Sequence, residues 1–129
     1  MPSDVEEKLI RTTVKGLSRV IILWLLSREP MSGYAIIKEI YRLTSFKFAS
    51  GIVYPLLYEL EEKELIKGNW TRKGRRSIKY YSITEKGEIV LQDLRKLFDK
   101  PLRQVIESLL THEELACSKN KNSPPLHYE

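Results

Sequence analysis

A single cysteine, Cys117, stands among the 129 residues, which excludes an internal disulfide and any cysteine-built metal cluster. Histidine is nearly as scarce. His112 and His127 lie in the polar C-terminal stretch without other ligands at metal spacing, so neither a metal site nor a cofactor is expected. Long apolar runs are missing: the longest, "VIILWLL" from Val20 to Leu26, is far short of the roughly 20 residues a membrane helix needs. The N-terminus, "MPSDVEEKLIR", lacks the pattern of a signal peptide. A cytoplasmic protein with no membrane contact is the default expectation. Also absent are a glycine-rich phosphate loop, paired carboxylates in a plausible cleft and a Ser-His-Asp set, so the chain does not read as an enzyme.

What is present is an uneven charge. The formal net charge is +5. Residues 1–29 and 84–129 nearly balance, and the whole excess lies in residues 30–83. Within it, Leu65 to Ile83 carries Lys67, Arg72, Lys73, Arg75, Arg76 and Lys79 and no acid. A local patch of one sign points to a polyanionic partner; the plainer alternative is a solvated loop.

Hydrophobic spacing supplies the frame. Leu17, Val20, Ile21, Trp24 and Leu25 form one face of a helix expected from about Lys15 to Arg28, with Ile22, Leu23 and Leu26 on its other sides. A helix apolar nearly all round serves more than one contact. Ser3 and Glu6 suit a capping box for a short extra turn before it, and Gly16 weakens a continuous helix. Pro30 breaks the pattern, and a second helix is expected from Ser32 to Thr44, with Tyr34, Ile37, Ile40 and Tyr41 near one side. After the connector "TSFKFAS", a third helix begins with Ser50 as N-cap. Its Val53, Leu57 and Leu60 point one way, while Ser50, Tyr54, Tyr58 and Glu61 share the opposite face.

The segment "LIKGNWTRKGRRSIKYYSIT" then reads as a two-stranded hairpin turning at Gly74, with Tyr81 and Ile83 inward. Thr84 caps a last helix whose Leu91, Leu94, Phe98, Leu102, Val105 and Leu109 recur at steps close to a coiled-coil seam, with a kink at Pro101. Beyond Thr111 the chain turns polar and is expected to be mostly disordered. The fold class is therefore mainly α with a small β-hairpin. It divides into an N-terminal extension (1–13), a winged helix-turn-helix domain (14–83), a dimerisation helix (84–111) and a tail (112–129).

The segments "MSGYAIIKEI" (31–40), "SGIVYPLLYELEEKELIKGNW" (50–70) and "GRRSIKYYSITEKGEIVL" (74–91) together resemble the PadR family of transcriptional regulators. The resemblance implies a homodimeric transcription factor, often a repressor, that contacts DNA through the third helix and the wing. Two features depart from the commoner pattern. Lys63-Glu64 stands where members commonly have a glycine-containing helix end, and the single short C-terminal helix suits the smaller subfamily. Some members bind aromatic or drug-like molecules near the dimer interface, which makes Trp24 a ligand candidate as well as a core one.

Candidate DNA contacts follow. Arg75, Arg76 and Lys73 at the hairpin tip suit phosphate or the minor groove. Ser32 and Lys38, at and near the start of the second helix, suit phosphate, while Ser50, Tyr54 and Tyr58 face base edges from the start of the third. Tyr54 reads equally well as a packed tyrosine. The dimer surface expected is Leu17, Ile21 and Trp24 against Leu91, Leu94, Phe98, Leu102, Val105 and Leu109, giving a pseudo-palindromic double-stranded DNA site and room for a small aromatic or apolar effector. A winged-helix module that binds protein, or RNA through Trp70, Tyr80 and Tyr81, is the alternative.

Overall fold

The structure, a computed structural model, describes residues 3–47 and 50–119, with Ser50 and residues 112–119 described in backbone only. The chain packs as two units, one ending at Gln92 and the other starting at Asp93.

The first unit opens with α1, Asp4–Arg28. The Ser3 hydroxyl accepts from the Glu6 amide at 3.1 Å, and Asp4, Glu6 and Glu7 occupy the first turn, where the helix dipole favours acids. The expected short turn and separate helix from Lys15 are thus one helix running through Gly16. A mid-helix glycine costs about 1 kcal/mol relative to alanine, less than burying one leucine of the second half returns at roughly 1.5–3 kcal/mol. The packed face of α1 is Ser18, Ile22, Leu23, Leu25 and Leu26. Of the expected stripe only Leu25 is buried, while Val20, Ile21 and Trp24 are half-buried and Leu17 is exposed; Ile22, Leu23 and Leu26, expected on the other sides, make up the rest of the core face.

A two-residue strand, β1 (Met31–Ser32), leads into α2 (Gly33–Thr44). The Ser32 hydroxyl accepts from the Ala35 amide at 3.2 Å, which caps the helix. Its buried residues are Gly33, Ile36 and Ile40; of the four residues grouped by spacing, Ile40 is buried and Ile37 half-buried, while Tyr34 and Tyr41 are exposed. In α3 (Ser50–Glu62), Val53, Leu56, Leu57 and Leu60 are all buried, as the spacing of the apolar residues requires. Ser50 is the first residue of this helix rather than the residue before it, and its side chain lies outside the described residues.

The hairpin strands are β2 (Ile66–Lys73) and β3 (Arg76–Ile83), paired from Ile66↔Ile83 to Lys73↔Arg76. Gly74 has φ 64°, and Arg75 does not share the left-handed region, which is the pattern of a two-residue II′ hairpin turn. β1 adds a third strand, pairing Met31↔Tyr81 and Ser32↔Tyr80 in the order β1-β3-β2, where the sequence suggested two strands alone. Tyr81 is buried and Ile83 half-buried, while residues 71–77 of the distal hairpin are exposed.

A helix α4 (Glu85–Leu97) begins in the first unit and buries Gly87 and Leu91 there. In the second unit the chain passes through a π-helical turn, Phe98–Leu102, into α5 (Arg103–Lys119). Pro101 has no amide hydrogen and crowds the carbonyl four residues earlier; the wider turn accommodates both, and the helical path continues. An Arg103–Asp99 ion pair at 2.9 Å spans it. α5 continues past Thr111 to Lys119, where a disordered tail was expected; the rest of that tail lies outside the described residues.

Candidate nucleic-acid interface

The site is built on how α3 ends. Leu65 donates its amide to the Leu60 carbonyl and Glu64 to that of Glu61, both at 2.9 Å, a Schellman closure. Such a closure needs a left-handed residue, and Glu64 supplies it with φ 62°. This is the segment where the resembling family commonly has glycine. The three carbonyls that follow the helix are taken by the segment "TEKG": Lys86 Nζ donates to Lys63 O at 3.0 Å, Thr84 Oγ1 to Glu64 O at 2.7 Å and the Thr84 amide to Leu65 O at 3.0 Å. Thr84 Oγ1 also accepts from the Gly87 amide at 3.0 Å, which caps α4 as the sequence indicated. A Cβ on Gly87 would collide with the Leu65 carbonyl oxygen, so only glycine lets α4 start this close. One threonine and one glycine thus join the end of α3 to the start of α4.

The outer face of α3 carries Tyr54 and Tyr58. The Tyr54 ring lies against Gly33 at the start of α2, where any side chain would overlap it, yet Tyr54 remains 43 % exposed. It is both packed and accessible. Tyr58 is 65 % exposed, and its hydroxyl donates to Glu62 Oε2 at 3.1 Å, which raises the Tyr58 pKa above the ordinary phenol value. Ser32 has its hydroxyl engaged as the α2 cap. Lys38 is exposed, its ammonium 5.4 Å from the centre of the Tyr34 ring, and lines a groove of about 490 Å³ with Arg28, Met31 and Arg42.

The charges are sorted. Glu59 accepts two hydrogen bonds from the Arg19 guanidinium, at 2.9 and 3.0 Å, which ties α3 to α1. That bond holds the Glu59 carboxyl below the usual range and raises Arg19, against a smaller opposing effect of burial in each case. Glu61 accepts from Lys79 Nζ at 3.2 Å and from the Gly68 amide at 3.3 Å. The Lys79 pKa is raised mainly by that bond. Lys79, counted in the basic patch from sequence, therefore faces inward. Lys67, Arg72, Lys73, Arg75 and Arg76 are exposed, and among the described residues none of them pairs with a carboxylate. Trp70 is 69 % exposed on the wing, with the Lys79 ammonium 6.0 Å from its ring centre.

Of the residues assigned to a dimer surface, Leu17, Val105 and Leu109 are exposed, and Ile21, Trp24, Leu94, Phe98 and Leu102 are half-buried. Leu91 differs: at 3 % exposure it belongs to the core of its own unit and offers nothing to a partner. Val5, Leu9 and Ile10 on α1, and Ile106 and Leu110 on α5, are exposed apolar residues that the sequence reading did not include. Trp24 holds the Arg28 guanidinium 5.1 Å from its ring centre. Among the described residues no group of His, Cys, Asp and Glu is arranged to hold a metal ion, and no helix is long and apolar enough to cross a membrane.

Three helices with a basic hairpin wing and a short third strand form a winged helix-turn-helix. Residues 22–93, more than half of the chain, match the transcriptional regulator PadR-like family, and the chain belongs to that family. It is 35 % identical over 83 residues to the transcriptional regulator YqjI of Escherichia coli, a match that spans 63 % of this chain but only 39 % of that protein. Among solved structures, a PadR family transcriptional regulator from Eggerthella lenta is similar with a TM-score of 0.69 at 27 % identity, covering 83 % of this chain and 93 % of that one. The PadR-like regulator BC4206 from Bacillus cereus gives 0.69 at 26 %, covering 77 % and 96 %.

Proposed function

We propose that this PadR-like regulator is a homodimeric, sequence-specific binder of double-stranded DNA that acts as a repressor, with α3 directed at base edges in the major groove and the wing at the backbone or minor groove. The observation that carries this is the sorting of charge. The acids Glu59 and Glu61 of α3 are held by Arg19 and Lys79, while the cations of the distal wing are exposed and, among the described residues, without carboxylate partners. Glu62, which accepts from Tyr58, and Glu64 stay exposed at the far end of α3, away from its first turns. A wing whose cations face solvent without carboxylates, beside a helix whose first turns carry no acid, suits a phosphate backbone better than a neutral protein groove. Tyr54 and Tyr58 are accessible on the same helix and suit hydrogen bonding or packing on bases. Ser50, Ser32 and Lys38 are the further contacts proposed.

Exposed apolar residues on α1 and, separately, on α5 support assembly as a dimer, because a monomer would leave Leu17, Val105 and Leu109 in water. Such a dimer reads two half-sites of a pseudo-palindrome about one DNA turn apart. A flat apolar effector bound at Trp24 would release the operator by favouring a DNA-incompetent dimer; a coupling of about 1–3 kcal/mol is enough for control. Selection of bound fragments from random duplex DNA, with light scattering on the same preparation, tests this reading. Enrichment of a two-fold-related sequence by a dimer supports it. Equal retention of all duplexes, or preference for single-stranded RNA, overturns it.

A further inference from the structure

We propose that Glu61 and Lys79 form a latch that sets the wing at a fixed angle to α3, so that both act on DNA as positioning residues and neither as a contact. The proposal rests on the DNA-binding reading above for its function, but its geometry stands by itself. Three elements meet at one carboxylate. Glu61 of α3 accepts from Lys79 Nζ of β3 at 3.2 Å and from the Gly68 amide of β2 at 3.3 Å. Gly68 and Lys79 lie on one face of the hairpin, because Gly68 pairs with Tyr81 and Trp70 with Lys79. A Cβ on Gly68 would meet the Lys79 methylene next to the ammonium and come within 3.1 Å of Glu61 Oε2, so the lysine end lies directly over the glycine in the space a side chain would take. The ammonium also lies 5.2 Å from the Tyr81 ring centre and 6.0 Å from that of Trp70, which holds its stem across the sheet. Both charged side chains are about two-thirds covered, at 28 % and 33 % exposure.

The consequence follows from leverage. Residues 71–77 beyond the latch are exposed and lie outside the core. Gly74 is six residues from Gly68, so at roughly 3.3 Å per residue the tip lies about 20 Å out. A rotation of about 10° at the base would then move Arg75 and Arg76 by about 3.5 Å, more than the length of a hydrogen bond. Contacts of that kind need a fixed base, and Glu61 is where the recognition helix supplies it.

The sign of the effect separates a latch from simple electrostatics. Removing an acid beside a DNA-binding surface should tighten binding by reducing repulsion. Removing half of a latch should weaken it. The test compares Glu61→Met, Lys79→Met, their combination and Lys79→Arg, first as free protein by hydrogen exchange and then on a selected duplex at several salt concentrations. In the free protein the Gly68 amide should exchange about threefold to tenfold faster in both single Met variants, with the amides of Ile22 and Leu57 unchanged. Lys79→Arg should restore the protection. On DNA each single variant should bind about threefold to tenfold more weakly, Lys79→Met should keep the wild-type salt slope, and the double variant should be no worse than either single. Unchanged exchange at Gly68, tighter binding by Glu61→Met, or a reduced salt slope for Lys79→Met would each overturn the latch. A wild-type protein that binds no duplex refutes the proposed function, and the exchange experiment then decides the latch alone.

Discussion

At the scale of single residues, the joint between α3 and α4 is held by residues whose roles are conformational. Glu64 occupies a left-handed position with φ 62° that a glycine would take without steric cost. Its amide and that of Leu65 close the helix, and its carbonyl receives the Thr84 hydroxyl, all backbone features that glycine keeps. Glu64→Gly should therefore stabilise the protein by about 0.5–1 kcal/mol, read as a higher urea midpoint, because relief of the left-handed strain exceeds glycine's added entropy in the unfolded chain. A lower midpoint would mean that the glutamate side chain contributes more than its backbone conformation costs. Glu59 makes a pH-dependent contribution. Its carboxyl titrates below the ordinary 4.5 because Arg19 hydrogen-bonds the charged form. A depressed carboxylate stabilises the fold above its unfolded pKa and loses that contribution as pH falls through the folded value. Both partners are about a third exposed, so solvent screening limits the effect to about 1 kcal/mol or less. Urea titrations of wild type and Arg19→Gln should differ at pH 6 and converge as pH falls below the ordinary carboxylate value of 4.5; a constant difference would remove the pair from the acid response.

At the scale of elements, sequence patterning was most readable where one face alone is buried. Val53, Leu57 and Leu60 declared the inner face of α3, and their burial leaves Tyr54 and Tyr58 on the outer one. The turn at Gly74 and the cap at Thr84 were likewise legible, because each depends on local chemistry. α1 was harder. It is apolar nearly all round, so periodicity could not choose between the stripe of Ile21, Trp24 and Leu25 and the sides carrying Ile22, Leu23 and Leu26. In α2, Gly33 is buried for lack of a side chain, which hydrophobic spacing does not register; Tyr54 fills the space. β1 could not be foreseen, since a two-residue strand exists only through its pairing with Tyr80 and Tyr81. The inward commitment of Lys79 was hidden for the same reason: its partner, Glu61, is 18 residues away on another element. Gly16 gives the element-scale prediction. Nothing lies within 4 Å of where its Cβ would be, and its φ is not left-handed. Gly16→Ala should stabilise α1 by up to about 1 kcal/mol and slow amide exchange across residues 8–18. Destabilisation would instead require a function for flexibility between the two halves of α1.

At the scale of the whole molecule, the proposed function makes the wing and α3 different kinds of DNA reader. The five exposed wing cations, without carboxylate partners among the described residues, suit a backbone that carries the same charge at every step, and the tyrosines of α3 suit bases that differ. The measurement that tests this most directly is the salt dependence of affinity for wild type, Arg75→Ala, Arg76→Ala and Tyr58→Ala, each on a selected duplex and a scrambled one. Each arginine variant should weaken both duplexes by similar factors. Where the lost contact is a phosphate, the log–log salt slope should fall by about one per subunit, so about two per dimer. Tyr58→Ala should cost about 1–3 kcal/mol on the selected duplex and much less on the scrambled one, with the slope nearly unchanged. The proposed function is contradicted if the arginine variants change base preference while Tyr58→Ala lowers affinity for both duplexes alike.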